Sequence, residues 1–169
     1  MKSSVFSTLP RFVLLTGLAG WMTIAVLNNL TDQGTNIIHL SNMLSMRLLI
    51  EDPLFGNGLE WRAWVSASPQ VVLYLVAAWQ MLTAIALWVA SYLMFRALWQ
   101  PARYSAAVSG ANVALTMFLC LWLFFLSGGL WFGYWMKQGA IQGVHMALIL
   151  MSIATLIFIN QPKPEQLVR

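Results

Sequence analysis

Four apolar runs, at residues 12–30, 71–95, 106–132 and 140–159, dominate this chain. A helix needs about 20 predominantly apolar residues to cross the hydrocarbon core of a bilayer. Inside lipid, such a segment must also satisfy its own backbone hydrogen bonds. The runs therefore predict an all-α, polytopic membrane protein: a four-transmembrane-helix bundle. Only 8% of the 169 residues are charged, against roughly 25% in a soluble domain, which excludes an ordinary soluble globule. One membrane domain, residues 1–169, accounts for the chain, with an external loop at 31–70 and a cytoplasmic tail at 160–169.

The first run follows Lys2 and Arg11 and so has the basic prelude of a signal peptide. Its apolar stretch exceeds the roughly 7–15 residues of a signal h-region, and no A-x-A-like site closes it. It reads as a retained helix. With four spans both termini share a side, and that side carries Lys2, Arg11, Arg96, Arg103, Lys163 and Arg169, against Arg47, Arg62 and Lys137 opposite. The positive-inside rule makes the richer side, with both termini, cytoplasmic. Trp61, Trp64, Trp131 and Trp135 then fall near the outer interface and Trp99 near the inner one, where indole rings are favoured. Scattered single basic residues form no nucleic-acid stripe.

The first external loop is long, and long loops usually carry structure or function. Its centre, "NIIHLSNMLSMRLLI", mixes apolar residues with Asn36, His39, Ser41, Asn42, Ser45 and Arg47. That pattern is too short and too polar to span, and it predicts a short interfacial helix. Pro53, Gly56, Asn57 and Gly58 then supply turn chemistry. Short connections, one containing Pro101 and one at residues 137–139, make helices 2, 3 and 4 sequential neighbours.

"NNLTDQGTN", residues 28–36, puts amide and carboxylate side chains directly after the first span. Asn28 and Asn29 are expected to end the helix. Thr31, Asp32 and Gly34 are expected to form a turn in which Thr31 or Asp32 caps the next helix. The functional alternative is a ligand or partner contact by Asn28, Asn29, Thr31, Asp32, Gly34 and Asn36, with Trp61 and Arg62.

These residues carry a resemblance. "NNLTDQGTN", "NMLSM" at 42–46, "WRA" at 61–63 and "GGLWFGYW" at 128–135 together resemble the DUF2165 family, predicted small integral membrane proteins of bacteria. The resemblance covers nearly the whole chain and implies a four-span fold. The family pattern has a His where Asn42 stands, an Asp at Arg47, and membrane glutamates near Gln80 and Leu130, so the resemblance is to a divergent member, and it implies a bacterial inner membrane as the location. The family has no agreed activity to pass on.

In the fourth span Gln138, Gln142, His145, Ser152 and Thr155 recur at steps of three or four, interrupted by Ile149, and so share one helix face. A second row, Gly139, Gly143 and Ala147, has the small-xxx-small spacing that lets helices approach closely. Helix 3 carries Ser109, Asn112, Thr116 and Cys120, and helix 2 carries Gln80 and Thr83. At about 1.5 Å per residue, Gln80 and His145 lie roughly 15 Å and 9 Å below the outer end and could share a layer. Interhelical hydrogen bonding is the first expectation for such groups.

A haem b or quinone site is the sharper alternative, built from His145 with Gln142, Gln80 or His39. The spans hold no mid-membrane Asp, Glu, Lys or Arg, which disfavours proton-coupled transport. No catalytic motif is present, no Cys/His spacing suits a metal, and the single cysteine excludes an intramolecular disulfide. The expected function is a non-catalytic accessory or scaffold subunit, in contact with other membrane subunits or itself and with no nucleic acid. A haem- or quinone-binding anchor of an electron-transfer complex is the alternative, and a small-solute channel or carrier the second.

Overall fold

The computed structural model describes residues 2–52, 54 and 58–162. The expected turn residues Pro53, Gly56 and Asn57, the side chain of Lys2, and the cations Lys163 and Arg169 lie outside the described residues. Helix α1 runs Lys2–Thr31, α2 Gln33–Leu44, α3 Arg47–Ile50, α4 Pro69–Trp99, α5 Tyr104–Trp131 and α6 Gly139–Asn160. Among the described residues α1, α4, α5 and α6 are long and apolar enough to cross a membrane. The all-helical bundle and the short helix between its first two spans are as the sequence predicts.

Three of the spans outrun their apolar runs at both ends, and α5 starts two residues early and stops at Trp131. Ser68 starts α4 two residues early: its Oγ accepts from the Val71 N–H at 3.4 Å, with Pro69 preset for the first turn. At the far end α4 continues through Arg96 to Trp99, and a 3₁₀ turn at Pro101–Arg103 reverses the chain into α5. A second 3₁₀ turn, Tyr134–Met136, joins α5 to α6. Its entry residue Gly133 has φ +61°, a conformation that suits glycine.

Helix α1 packs on α4, α4 on α5 and α5 on α6, while α6 meets α1 only sparsely. Trp21 of α1 reaches α5, edge-on to Phe118 and Trp122 at 6.1 and 5.6 Å. Lipid tails are as apolar as leucine, so close van der Waals fit and interhelical hydrogen bonds must hold these helices together. Close fit comes from alanine: Ala84, Ala90 and Ala97 of α4 and Ala107, Ala111 and Ala114 of α5 are all buried in the core. The hydrogen bonds include Thr16 to Ser91 at 2.6 Å and Trp88 Nε1 donating to Thr23 Oγ1 at 3.1 Å.

Arg11, expected to be a flanking cation, is instead 4% exposed inside the bundle. Its Nη2 donates to the Gln161 carbonyl at 2.9 Å and its Nη1 to that of Ser7. The guanidinium lies 5.0 Å from the Phe158 ring centroid. Nearby, Asn112 and Asn160 exchange amide hydrogen bonds at 2.9 and 2.8 Å. These contacts close the end of the bundle that holds the start of α1 and the finish of α6, called here the terminal end. The opposite end, where α1 stops and α4 starts, is the loop end.

The row Gly139, Gly143 and Ala147 does not pack inside the chain, contrary to the sequence reading. All three residues are exposed, and a Cβ on either glycine would meet nothing within 4 Å. The reason is rotational. The buried residues of α6, among them Leu148, Ser152, Thr155 and Ile159, lie on the opposite side of the helix, and α5 meets that side. In α5, the third span, Thr116 and Cys120 are likewise exposed, although Asn112 is paired.

Candidate functional site

The opening polar motif folds differently from a stop and a turn. Helix α1 continues through Asn28 and Asn29 to Thr31, Asp32 alone breaks the chain, and Gly34 already lies inside α2. Asp32 occupies the N-cap position without capping a backbone N–H; its Oδ1 accepts from Thr35 Oγ1 at 3.1 Å. Thr31 bonds back to the Leu27 carbonyl at 2.7 Å. Asn28 and Thr31 are exposed, whereas Asn29 and Asn36 are half-buried.

Asn29 and Asn36 meet a residue that the sequence reading placed elsewhere. Asn36 Nδ2 donates to Asn29 Oδ1 at 2.9 Å, and Asn29 Nδ2 donates to Gln80 Oε1. Gln80 is 4% exposed, so this chain of amides runs from the loop helix through α1 into the body of α4. Two further contacts hold α2: the Tyr74 hydroxyl lies 3.1 Å from Gln33 Oε1, and Gln138 Nε2 lies 2.9 Å from His39 Nδ1. The motif and the membrane glutamine form one latch. No periodicity within either segment could reveal it, because the partners are 51 residues apart.

That latch has a measurable strength. Interhelical polar contacts in membranes are worth about 0.6–2 kcal/mol, and an amide deprived of its buried partner costs about 1–3 kcal/mol. Asn29→Leu and Gln80→Leu are each expected to weaken the bundle, and the double variant to lose less than their sum. Unfolding in graded dodecyl sulfate across the four proteins reads the coupling; strict additivity would remove the latch from the account.

The loop beyond α2 is packed as a small layer. Leu44, Met46, Leu49 and Phe132 are buried together, with Leu59, Ala63, Val72 and Met136 against them. Asp52 and Lys137 form an ion pair across this layer. Trp61 and Arg62, both proposed as contact residues, meet Trp131. The Trp61 and Trp131 rings stand edge to face at 5.6 Å, and the Arg62 guanidinium lies 5.2 and 5.3 Å from their centroids. Such cation–π contacts are worth about 0.5–1 kcal/mol when exposed. Tyr134, 8% exposed beneath the layer, has its hydroxyl pKa pushed up to about 12 by burial.

The polar stripe of α6 does face the bundle, but it does not form one site. Ser152 and Thr155 bond back to the Leu148 and Met151 carbonyls of their own helix, at 2.6 and 2.7 Å. Gln138 is taken by His39. Gln142, 5% exposed, lies against Gly129, where a Cβ would come within 2.2 Å of its Oε1. Its Nε2 lies 3.4 Å from the Leu126 carbonyl.

His145 stacks on Trp122 with ring centroids 5.7 Å apart and meets Phe125 edge-on at 4.9 Å. Trp122 Nε1, Gln142 Oε1 and His145 Nδ1 are buried without a hydrogen-bond partner. His39 and His145 are thus held apart by different partners, and Gln80 pairs with Asn29. The aromatic surroundings of His145 were not apparent from the sequence, since Trp122 and Phe125 belong to another helix. Among the described residues no group of three His, Cys, Asp or Glu could hold a metal ion.

Residues 7–162 match the family described as "Predicted small integral membrane protein (DUF2165)". The chain belongs to this family. It is a multi-pass integral membrane protein embedded in a lipid bilayer, and the family description names no activity. No curated protein and no solved structure matches it significantly. In the loop of this DUF2165 chain, Arg47 Nη2 donates to Asn42 Oδ1 at 2.8 Å.

Proposed function

We propose that this DUF2165 protein is a non-catalytic accessory or scaffold subunit of a bacterial inner-membrane complex, with both termini cytoplasmic. The folded, latched loop layer carries this reading. Asn29, Asn36, Gln80, Gln138 and His39 are spent on holding α2 to the spans, while Trp61, Trp64 and Val65 stay 56–79% exposed on the layer. A surface that is rigid yet apolar suits contact with another subunit. The outward Gly139, Gly143 and Ala147 row of α6 gives a partner helix a close approach within the membrane. The orientation rests on the excess of Lys and Arg at the terminal end.

A second reading, a quinone-binding membrane anchor, is favoured by the three unpartnered polar atoms of Trp122, Gln142 and His145. A planar carbonyl compound could accept from the indole and the imidazole. A bis-histidine haem does not fit, since His39 is bonded to Gln138 and the faces of His145 are engaged by rings of α5. A solute path gains no support, because Ser152, Thr155 and Thr83 turn their hydroxyls to their own helices.

One preparation separates these readings: native-level expression, purification in mild detergent, an optical spectrum, quinone extraction and mass spectrometry. The expected result is a defined membrane partner that Gly143→Ile displaces while the chain stays folded. Recovery of the chain alone would count against the subunit reading. A co-purified quinone lost in His145→Ala would transfer the function to electron transfer.

A further inference from the structure

At the loop end, α2 presents Ile37, Ile38, Ser41 and Asn42 on one side, and the chain then turns sharply. Met46 makes that turn with φ +52°, the only non-glycine residue with positive φ among those described. An L-residue in this conformation costs about 1–2 kcal/mol. Burial of the Met46 side chain, 2% exposed in the loop layer, holds it there. Strain maintained in this way is often tied to function. Here its consequence is local: α3 starts beside α2, and Arg47 folds over Asn42. Between them opens a cavity of about 300 Å³ lined by Ile37, Ile38, Ser41, Asn42 and Arg47.

The polar lining is rich in donors. Asn42 Oδ1 already accepts from Arg47 Nη2, which leaves the Asn42 amide N–H₂ to donate. The Ser41 hydroxyl and the remaining guanidinium N–H groups add further donors. Among the described residues no carboxylate pairs with Arg47, since Asp52 is committed to Lys137. A planar guanidinium matches the oxygens of a phosphate in bidentate fashion. Ile37 and Ile38, the latter 60% exposed, form an apolar wall beside these donors. Helix α2, which carries that wall, packs on α4 and α1 at the loop end of the candidate spans.

We propose that this cavity binds a phosphate group, with the headgroup of an anionic phospholipid as its source. Arg47 supplies the charge, Asn42 holds the guanidinium and donates, Ser41 donates, and Ile37 and Ile38 receive the start of the acyl region. The site is independent of any partner subunit and of the polar atoms around His145.

The test uses the full chain in nanodiscs of phosphatidylcholine containing a minority of phosphatidylglycerol, with native mass spectrometry of the lipids that stay bound. Wild-type protein is expected to retain phosphatidylglycerol about tenfold over Arg47→Gln, as loss of a charge-assisted pair would give. Ile38→Asp, which puts a negative charge on the exposed wall, is expected to lose it equally. Arg103→Gln, an exposed cation at the terminal end, is expected to retain it.

Phosphorus NMR of inorganic phosphate added to discs of phosphatidylcholine alone distinguishes the source. Broadening that disappears in Arg47→Gln would keep the phosphate site and reassign its ligand to a free anion. Equal lipid retention by wild type, Arg47→Gln and Ile38→Asp, without phosphate broadening, overturns the proposal.

Discussion

Arg11→Met is expected to lower resistance to unfolding by about 1.5–3 kcal/mol, the worth of a hydrogen bond from a charged donor. Methionine keeps most of the apolar volume, so the loss reports the guanidinium and not a cavity. Two effects add at this position. The Nη2 bond to Gln161 satisfies a carbonyl just past the last turn of α6, where the helix dipole places partial negative charge and a partly buried cation gains up to about 2 kcal/mol. The ring of Phe158 lies under the same guanidinium. Dodecyl sulfate titration gives the size, and hydrogen exchange over residues 156–161 gives the place. An unchanged midpoint and unchanged exchange would show that Arg11 does not hold α6.

Gly133→Val is expected to cost more, about 2–5 kcal/mol, from left-handed strain plus overpacking. At φ +61°, a Cβ would sit 2.5 Å from Leu49 Cδ1 and 3.1 Å from Met136 Cε. Leu49 is 3% exposed, so it has little room to give way. The substitution therefore attacks the α5–α6 connection and the seat of α3 together. Gly58→Ala separates the terms: its φ is +80° but nothing lies within 4 Å of the added carbon, so only the conformational cost of about 1–2 kcal/mol applies. Thermal melts in detergent rank the variants, and limited proteolysis at residues 45–52 detects release of α3. A melting point for Gly133→Val equal to that of Gly58→Ala would refute the steric account.

The four spans were legible because apolar length is a local property, read without knowing what the helix touches. The short loop helix was legible from another local property, a mixed apolar and polar pattern too short to span, although its split at Met46 was not. The site was harder, since its meaning depends on facing. Asn29 in the last turn of a helix looks like a stop signal whether it meets water or Gln80. Arg11 near a helix end looks like a topological flank whether it snorkels or bonds to Gln161. The Gly139, Gly143 and Ala147 row has the same spacing whether it faces protein or lipid, and the alanine seam between α4 and α5 hides among ordinary apolar residues. His39 and Gln138 lie 99 positions apart, so nothing local announces their contact.

The order of these helices in space also bears on how the chain is made. Chains emerge from the ribosome N-terminal end first, and helices can insert before they associate. Helices α1 and α5 share Trp21, Phe118 and Trp122, and α4 packs on both, so the three can assemble into a layer while α6 is still being synthesised. The helix made last packs mainly on α5 and can dock onto a surface that already exists. Among the described residues Arg11 has the longest wait, because the carbonyl it finally binds lies 150 residues further along the chain.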